Sequence, residues 1–162
     1  MHLLKIKLDF AQSLGAYAGI NYKEHPDFSN LVKEYTNNKG VDLILDWIGA
    51  QNFEYNISSA AMDCRWVFYG AIGGVKLENF NLGKFLAKRI HHMSTTLKNR
   101  TDQYKSQLVK SFTEDCLKGF ETEELKPIID SVYNLSDVAN AHIRMEDNLN
   151  IGKIVMINDL KD

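Results

Sequence analysis

Residues 41–48 read Val-Asp-Leu-Ile-Leu-Asp-Trp-Ile, and Gly49 follows directly. A short apolar run rich in branched side chains, closed by glycine, is how a strand reads when helices cover both of its faces. The run therefore predicts a central strand of a parallel sheet. A second run of the same kind, Trp66-Val67-Phe68-Tyr69, ends in Gly70, and Gly73 and Gly74 loosen the loop beyond it. Residues 90–97 read as a strand with polar residues mixed in, which suits a sheet edge. Residues 153–157 form a last strand after Gly152, and residues 17–22 are a short strand candidate upstream.

Helical periodicities lie between these runs. Leu4, Leu8, Ala11 and Leu14 fall on one helical face, and Gly15 ends that helix because it accepts positive φ without a Cβ clash. Asp27 or Ser29 caps a helix through Tyr35, and Asn37, Asn38 and Gly40 form its exit turn. Further helices are predicted over residues 52–62, 80–88 and 104–118. Ser136 caps another that runs through Met145, with Asp137 in its first turn, where a carboxylate favours the helix dipole. Residues 125–129 and 132–135 are short apolar pieces. Strands alternating with helices at this spacing imply an α/β domain built on a parallel sheet.

The bulk composition narrows the function. In 162 residues, 19 Lys and Arg are balanced by 21 Asp and Glu, so the net charge is −2. A nucleic-acid binder needs a dense basic face, and none is expected. No apolar run approaches the roughly 18 residues of a membrane span. Lys5, Lys7 and Asp9 follow the opening Met1-His2-Leu3-Leu4 at once, so no secretory leader is expected and the chain reads as cytoplasmic. Cys64 and Cys116 stand far apart, and His91 and His92, adjacent on a strand, point to opposite faces. Zinc sites draw on clustered ligands, so no metal site is expected. The serines and histidines form no hydrolytic constellation either.

In an open α/β sheet, ligands bind beyond the carboxyl ends of the strands. The candidate positions are thus Asn21 and Tyr22 after the first strand, Ile48 and Gly49 after the second, and residues 70–74 after the third. Asp46 lies inside the apolar run and must be hydrogen-bonded if it is buried. A carboxylate that ties down loop amides is preferred there to a general base.

The stretches KLDFAQSLGA (7–16), INYKE (20–24), GVDLILDWIG (40–49), RWVFYGAIGG (65–74) and NLNIGKIVMI (148–157) run in the order of the medium-chain reductases. Within that superfamily the chain resembles the zinc-free, zeta-crystallin-type NADPH:quinone oxidoreductases. KRIHHMSTTLKNRTDQYKSQLV (88–109) and FTEDCL (112–117) point to their tumour-suppressor-inducible branch. The resemblance implies an incomplete Rossmann-type, doubly wound parallel sheet and NADPH as cofactor. It gives Lys7 the role of pairing with the 2′-phosphate and places Tyr22 beside the same adenosine phosphate. Ile48 and Gly49 pass under the adenine ribose, and Tyr69, Ala71 and Ile72 form the loop beside the nicotinamide. Ser94, Thr95 and Thr96 belong to the edge strand near the nicotinamide, while Asn148 and Asn150 close over the cofactor. No catalytic side chain is implied.

The chain departs from that pattern at its start. The glycine-rich turn that holds the pyrophosphate, the first two strands and a GroES-like N-terminal domain of the family have no counterpart in it. The whole of residues 1–162 is thus expected to be the C-terminal part of a nucleotide-binding domain. Residues 125–162 include segments that, in the family, return to the N-terminal domain. The expected activity is hydride transfer to a quinone or other activated alkene, with the isolated chain inactive. The alternative is a non-enzymatic truncated module. Either form is expected to make a homodimer or higher oligomer through the edge strand 90–97, since unpaired strand edges invite association.

Overall fold

The computed structural model describes residues 2–78 and 80–158. The chain divides into two compact units, one of residues 8–100 and one of residues 1–7 with 101–162.

The unit of residues 8–100 is built on a three-stranded, wholly parallel sheet in the order β1-β2-β3, with β1 Val41–Asp46, β2 Ala60–Phe68 and β3 His91–Ser94. Its helices are the later part of α1 (His2–Ser13), then α2 (Ser29–Tyr35), α3 (Phe53–Ser59) and α4 (Leu82–Lys88). A parallel pair needs a crossover connection. Here α3 links β1 to β2, and α4 links β2 to β3. The core lies between these helices and one sheet face. Trp66 is fully buried there, its ring 4.8 Å from Phe53, 5.8 Å from Phe85 and 5.2 Å from His92. Ile57, Ala60, Ala61 and Cys64 complete this core. Lys88 anchors α4 beneath it, donating to the carbonyls of Ile57 (2.8 Å), Ser58 (3.0 Å) and Ala60 (2.6 Å) at the end of α3.

The opposite sheet face corrects one expectation. Leu43 and Leu45, read as residues of a strand covered on both sides, are 47% and 56% exposed. Register sets Leu45 beside Val67 and Val67 beside Met93, so these side chains share the uncovered face. β1 is an edge strand in this sheet, and apolarity alone cannot say whether a helix lies over each face.

Residues 17–22, read as a strand, are not one: they run as turns and irregular backbone. Gly19 instead lies against Leu8, where a Cβ would come within 2.8 Å of the leucine side chain. A strand needs a neighbour to take its amides, and β1 pairs only with β2. The helix expected over 52–62 stops at Ser59, and β2 starts at once from Ala60. β2 carries a bulge: Val41 pairs with Ala60 but Leu43 with Arg65. Inside it, Asp63 takes a positive φ and its carboxylate accepts from Nε and Nη2 of Arg89, at 2.7 and 2.6 Å. Asp27 accepts from the amide and hydroxyl of Ser29 at the start of α2, and these bonds hold its carboxyl below the usual carboxylate range.

The second unit contains α5 (Asp102–Glu121), α6 (Val138–Glu146) and a parallel pair, β4 (Ile129–Asn134) with β5 (Lys153–Ile157). The Thr101 hydroxyl caps α5 by accepting from the Tyr104 amide at 3.2 Å. Ser136 does not cap α6. It sits within a 3-10 turn of residues 135–137 that leads into the helix. The unit is pinned by Asp130, whose carboxylate accepts from Arg144 Nε (2.6 Å) and Nη2 (3.0 Å), from the Ile151 amide (2.9 Å) and from Ser131 Oγ (2.8 Å). Among the described residues no helix is long and apolar enough to cross a membrane.

Candidate functional site

The carboxyl ends of β1, β2 and β3 lie side by side, which is where a parallel sheet presents a ligand crevice. At the end of β1, Asp46 is buried, at 4% exposure. Its Oδ1 accepts from the amides of Ile48 (2.8 Å) and Gly49 (3.0 Å), and its Oδ2 from Asn56 Nδ2 and Trp66 Nε1 (both 3.2 Å). The carboxylate that the sequence led one to expect on loop amides is therefore bound there. Its second pair of donors, ten and twenty positions away, has no local signal. Gly49 adopts φ 84° and ψ −130°, the mirror image of extended backbone, which glycine alone enters readily.

The turn after β1 is laced to the loop after β2. Tyr69 N donates to Asp46 O (2.9 Å), Ile72 N to Trp47 O (3.2 Å) and Gly73 N to Ile48 O (2.8 Å). In return Ala50 N donates to Gly74 O (2.9 Å) and Gln51 N to Gly73 O (3.2 Å). The end of β3 joins through Thr95 N, which donates to Phe68 O at 3.0 Å.

The ends of β2 and β3 border an open cleft of about 300 Å³ lined by Phe68, Tyr69, Gly70, Ala71, Ser94, Thr95, Thr96 and Arg100. The volume lies at the lower end of small-molecule sites and suits one ring with its sugar rather than a whole dinucleotide. One aromatic wall, bare backbone at Gly70 and three hydroxyls give it the mixed lining that a planar polar ring requires.

Tyr69, Gly70, Ala71, Ser94, Thr95 and Thr96, six of the positions singled out in the sequence, thus meet in one cleft. Ile48 and Gly49 are not in the cleft lining but belong to the turn hydrogen-bonded to the loop. Ile72 belongs to that loop but is 79% exposed and does not line the cleft. Tyr22, in the same unit, is exposed and lies outside the cleft lining. In the other unit Lys7 and Asn148 come together: the ammonium donates to the Asn148 carbonyl (2.6 Å) and Oδ1 (2.7 Å), and Asn148 has φ 57°. Asn150 Nδ2 donates to Gly152 O at 2.9 Å, which shapes its own turn before β5. Phe68, read only as part of a strand, and Arg100, a cation in a polar loop with no spacing signal, are the lining residues that sequence reasoning did not single out.

A family model described as zinc-binding dehydrogenase matches residues 14–156. The chain belongs to this family. Human quinone oxidoreductase is 27% identical over 128 residues, covering 79% of this chain and 36% of that protein. Among solved structures, an NAD-dependent alcohol dehydrogenase superposes with a TM-score of 0.72 at 28% identity, covering 94% of this chain and 41% of the other. A mycobacterial protein complexed with NADPH has the same fold, with a TM-score of 0.70 at 21% identity over 93% of this chain and 46% of its own. The chain spans well under half the length of the curated relatives it matches. The sheet is therefore of the Rossmann type, with three parallel strands among the described residues.

The family's description raises the question of zinc. Among the described residues no group of three His, Cys, Asp or Glu side chains is placed to hold a metal. Cys64 is buried within β2, and desolvation pushes its thiol pKa up, against the thiolate that zinc requires. Cys116 lies on α5 in the other unit. The described residues therefore do not fit a zinc ion.

Proposed function

We propose that this chain forms the nicotinamide end of an NADPH site in a zinc-free, zeta-crystallin-type quinone oxidoreductase acting in the cytoplasm. The observation that carries the reading is the cleft at the ends of β2 and β3, with its backbone wall at residues 69–71 and its hydroxyls at residues 94–96. When bound, the dinucleotide supplies a hydride for transfer to a quinone or another activated alkene. The chain's own part is to bind, orient and exclude water. Phe68 and Tyr69 give the ring an apolar surface. Ser94 and Thr95 hydroxyls both donate and accept, which matches a carboxamide. Gly70 keeps the loop thin: a Cβ there would lie 3.0 Å from the Trp47 carbonyl. No side chain of the cleft is assigned a proton transfer, because a hydroquinone oxygen is protonated from water.

Lys7 is the proposed partner of the 2′-phosphate, the charge that separates NADPH from NADH. In the structure its ammonium is held by Asn148, so a phosphate there competes with two neutral acceptors. Calorimetric titration with both dinucleotides tests the reading. Heat from NADPH with little from NADH is the expected result, and no heat from either removes the cofactor site.

A second reading has its own observation. β3 is the last strand of its sheet, and His91, His92, Met93 and Ser94 are all exposed. A non-enzymatic module that pairs through residues 90–97 uses this edge directly. The enzyme reading uses the same edge for a homodimer or higher oligomer. Dinucleotide binding separates the two: the enzyme reading expects heat from NADPH, and the pairing module expects none while still sedimenting as an oligomer.

A further inference from the structure

We infer that Asp46 is the positioning residue of the nicotinamide cleft: its carboxylate fixes the turn at Ile48 and Gly49, and that turn carries the loop whose residues 69–71 form the cleft wall. The inference rests on the proposed cofactor site for its ligand and on the hydrogen bonds alone for its mechanics. Four N–H donors converge on the two oxygens of one buried carboxylate. Oδ2 is held by groups outside the turn, Asn56 of α3 and Trp66 of β2, both buried. Oδ1 holds the turn. The turn's outward carbonyls, on Trp47 and Ile48, then accept from Ile72 and Gly73, while Ala50 and Gln51 donate back to Gly74 and Gly73. The buried core is thus joined to the loop of the cleft wall through one side chain and a backbone ladder.

Only a carboxylate meets these demands. An asparagine offers one acceptor oxygen, so its amide nitrogen would face either the two turn amides or the Asn56 and Trp66 donors. Asp46→Asn is therefore expected to free one side of the link while leaving volume and packing nearly unchanged.

The test is amide hydrogen exchange on the ligand-free chain, followed by NADPH titration of the same samples. In Asp46→Asn, exchange at Ile48, Gly49, Ile72 and Gly73 is expected to rise roughly tenfold or more, the scale of a lost charge-assisted hydrogen bond. Amides in the β4–β5 pair are expected to stay as they were. NADPH affinity falls by a similar factor. Asn56→Ala keeps the turn bonds and removes one anchor of Oδ2. It serves if Asp46→Asn does not fold, with a smaller rise expected at the same four amides. Faster exchange at Ile48 and Gly49 with none at Ile72 and Gly73 would show that turn and loop are independent and overturn the inference. Unchanged NADPH affinity in a variant whose loop exchanges faster would overturn it as well. If the unsubstituted chain binds no NADPH, the cofactor reading fails, while the exchange pattern still decides whether Asp46 positions the loop.

Discussion

Replacing Gly49 by alanine tests the strand-end architecture most sharply. Gly49 has φ 84° and ψ −130°, and a Cβ there would lie 2.6 Å from the Gly74 carbonyl oxygen and 3.1 Å from the Phe68 ring. Holding a non-glycine residue in such a region costs about 1–3 kcal/mol. The carbonyl must also move away, which breaks the 2.9 Å bond from Ala50 N to Gly74 O, a further ~1 kcal/mol. The sum is roughly 2–4 kcal/mol. With a urea slope of about 1–3 kcal/mol per molar, the midpoint falls by on the order of 1–3 M. Gly74→Ala is the matched control. Its φ is 102°, but a Cβ there meets only Ala50 Cβ, at an ordinary 3.6 Å. It carries backbone strain without a collision and is expected to shift the midpoint less. Equal midpoints for the two variants in urea unfolding, followed by the fluorescence of Trp47 and Trp66, would refute the steric reasoning.

Three further outcomes are expected. The Arg144 guanidinium, followed by the Ile151 amide, holds the Asp130 carboxyl well below its ordinary value of 3.8. That contribution to stability is present above pH ~4 and is lost as pH falls through that value towards the depressed one. Thermal melts between neutral and acidic pH should thus show a shallower acid loss in Asp130→Asn than in the unsubstituted chain. Lys88→Met strips the ammonium from three carbonyls at the end of α3. Allowing for its partial exposure, this costs about 1–2 kcal/mol in chemical denaturation. In timed labelling with a thiol reagent of the native chain, Cys116 reacts before Cys64, which is buried and has its thiol pKa raised by desolvation.

Much of the sheet was legible because parallel strands carry their signal in a few consecutive residues. The strand read over 41–48 runs over Val41–Asp46, residues 153–157 were read to the residue, and the edge strand shrank from 90–97 to His91–Ser94. Gly70 was singled out because ligands gather at strand ends, and Ser94, Thr95 and Thr96 only because of the family resemblance; the structure sets them around one cleft. What failed depended on distant partners. Residues 17–22 have strand-like composition, yet β1 offers them no pairing. The apolar run at 41–48 promised cover on both faces, and the structure covers one. The Asp130 carboxylate draws on Arg144 and Ile151, fourteen and twenty-one positions away, and no local pattern announces such a node. Ser136 looked like a cap, but the chain enters α6 through a 3-10 turn that makes no use of its hydroxyl.

The most direct test of the cofactor reading is an NMR titration of the isotopically labelled chain with reduced nicotinamide mononucleotide, the half of the cofactor that matches the cleft. The account predicts concentration-dependent shifts at the amides of Tyr69, Gly70, Ala71, Ser94, Thr95 and Thr96, with the β4–β5 amides unmoved. Saturating ligand with no shift at these residues, or with shifts only outside the cleft, would contradict it.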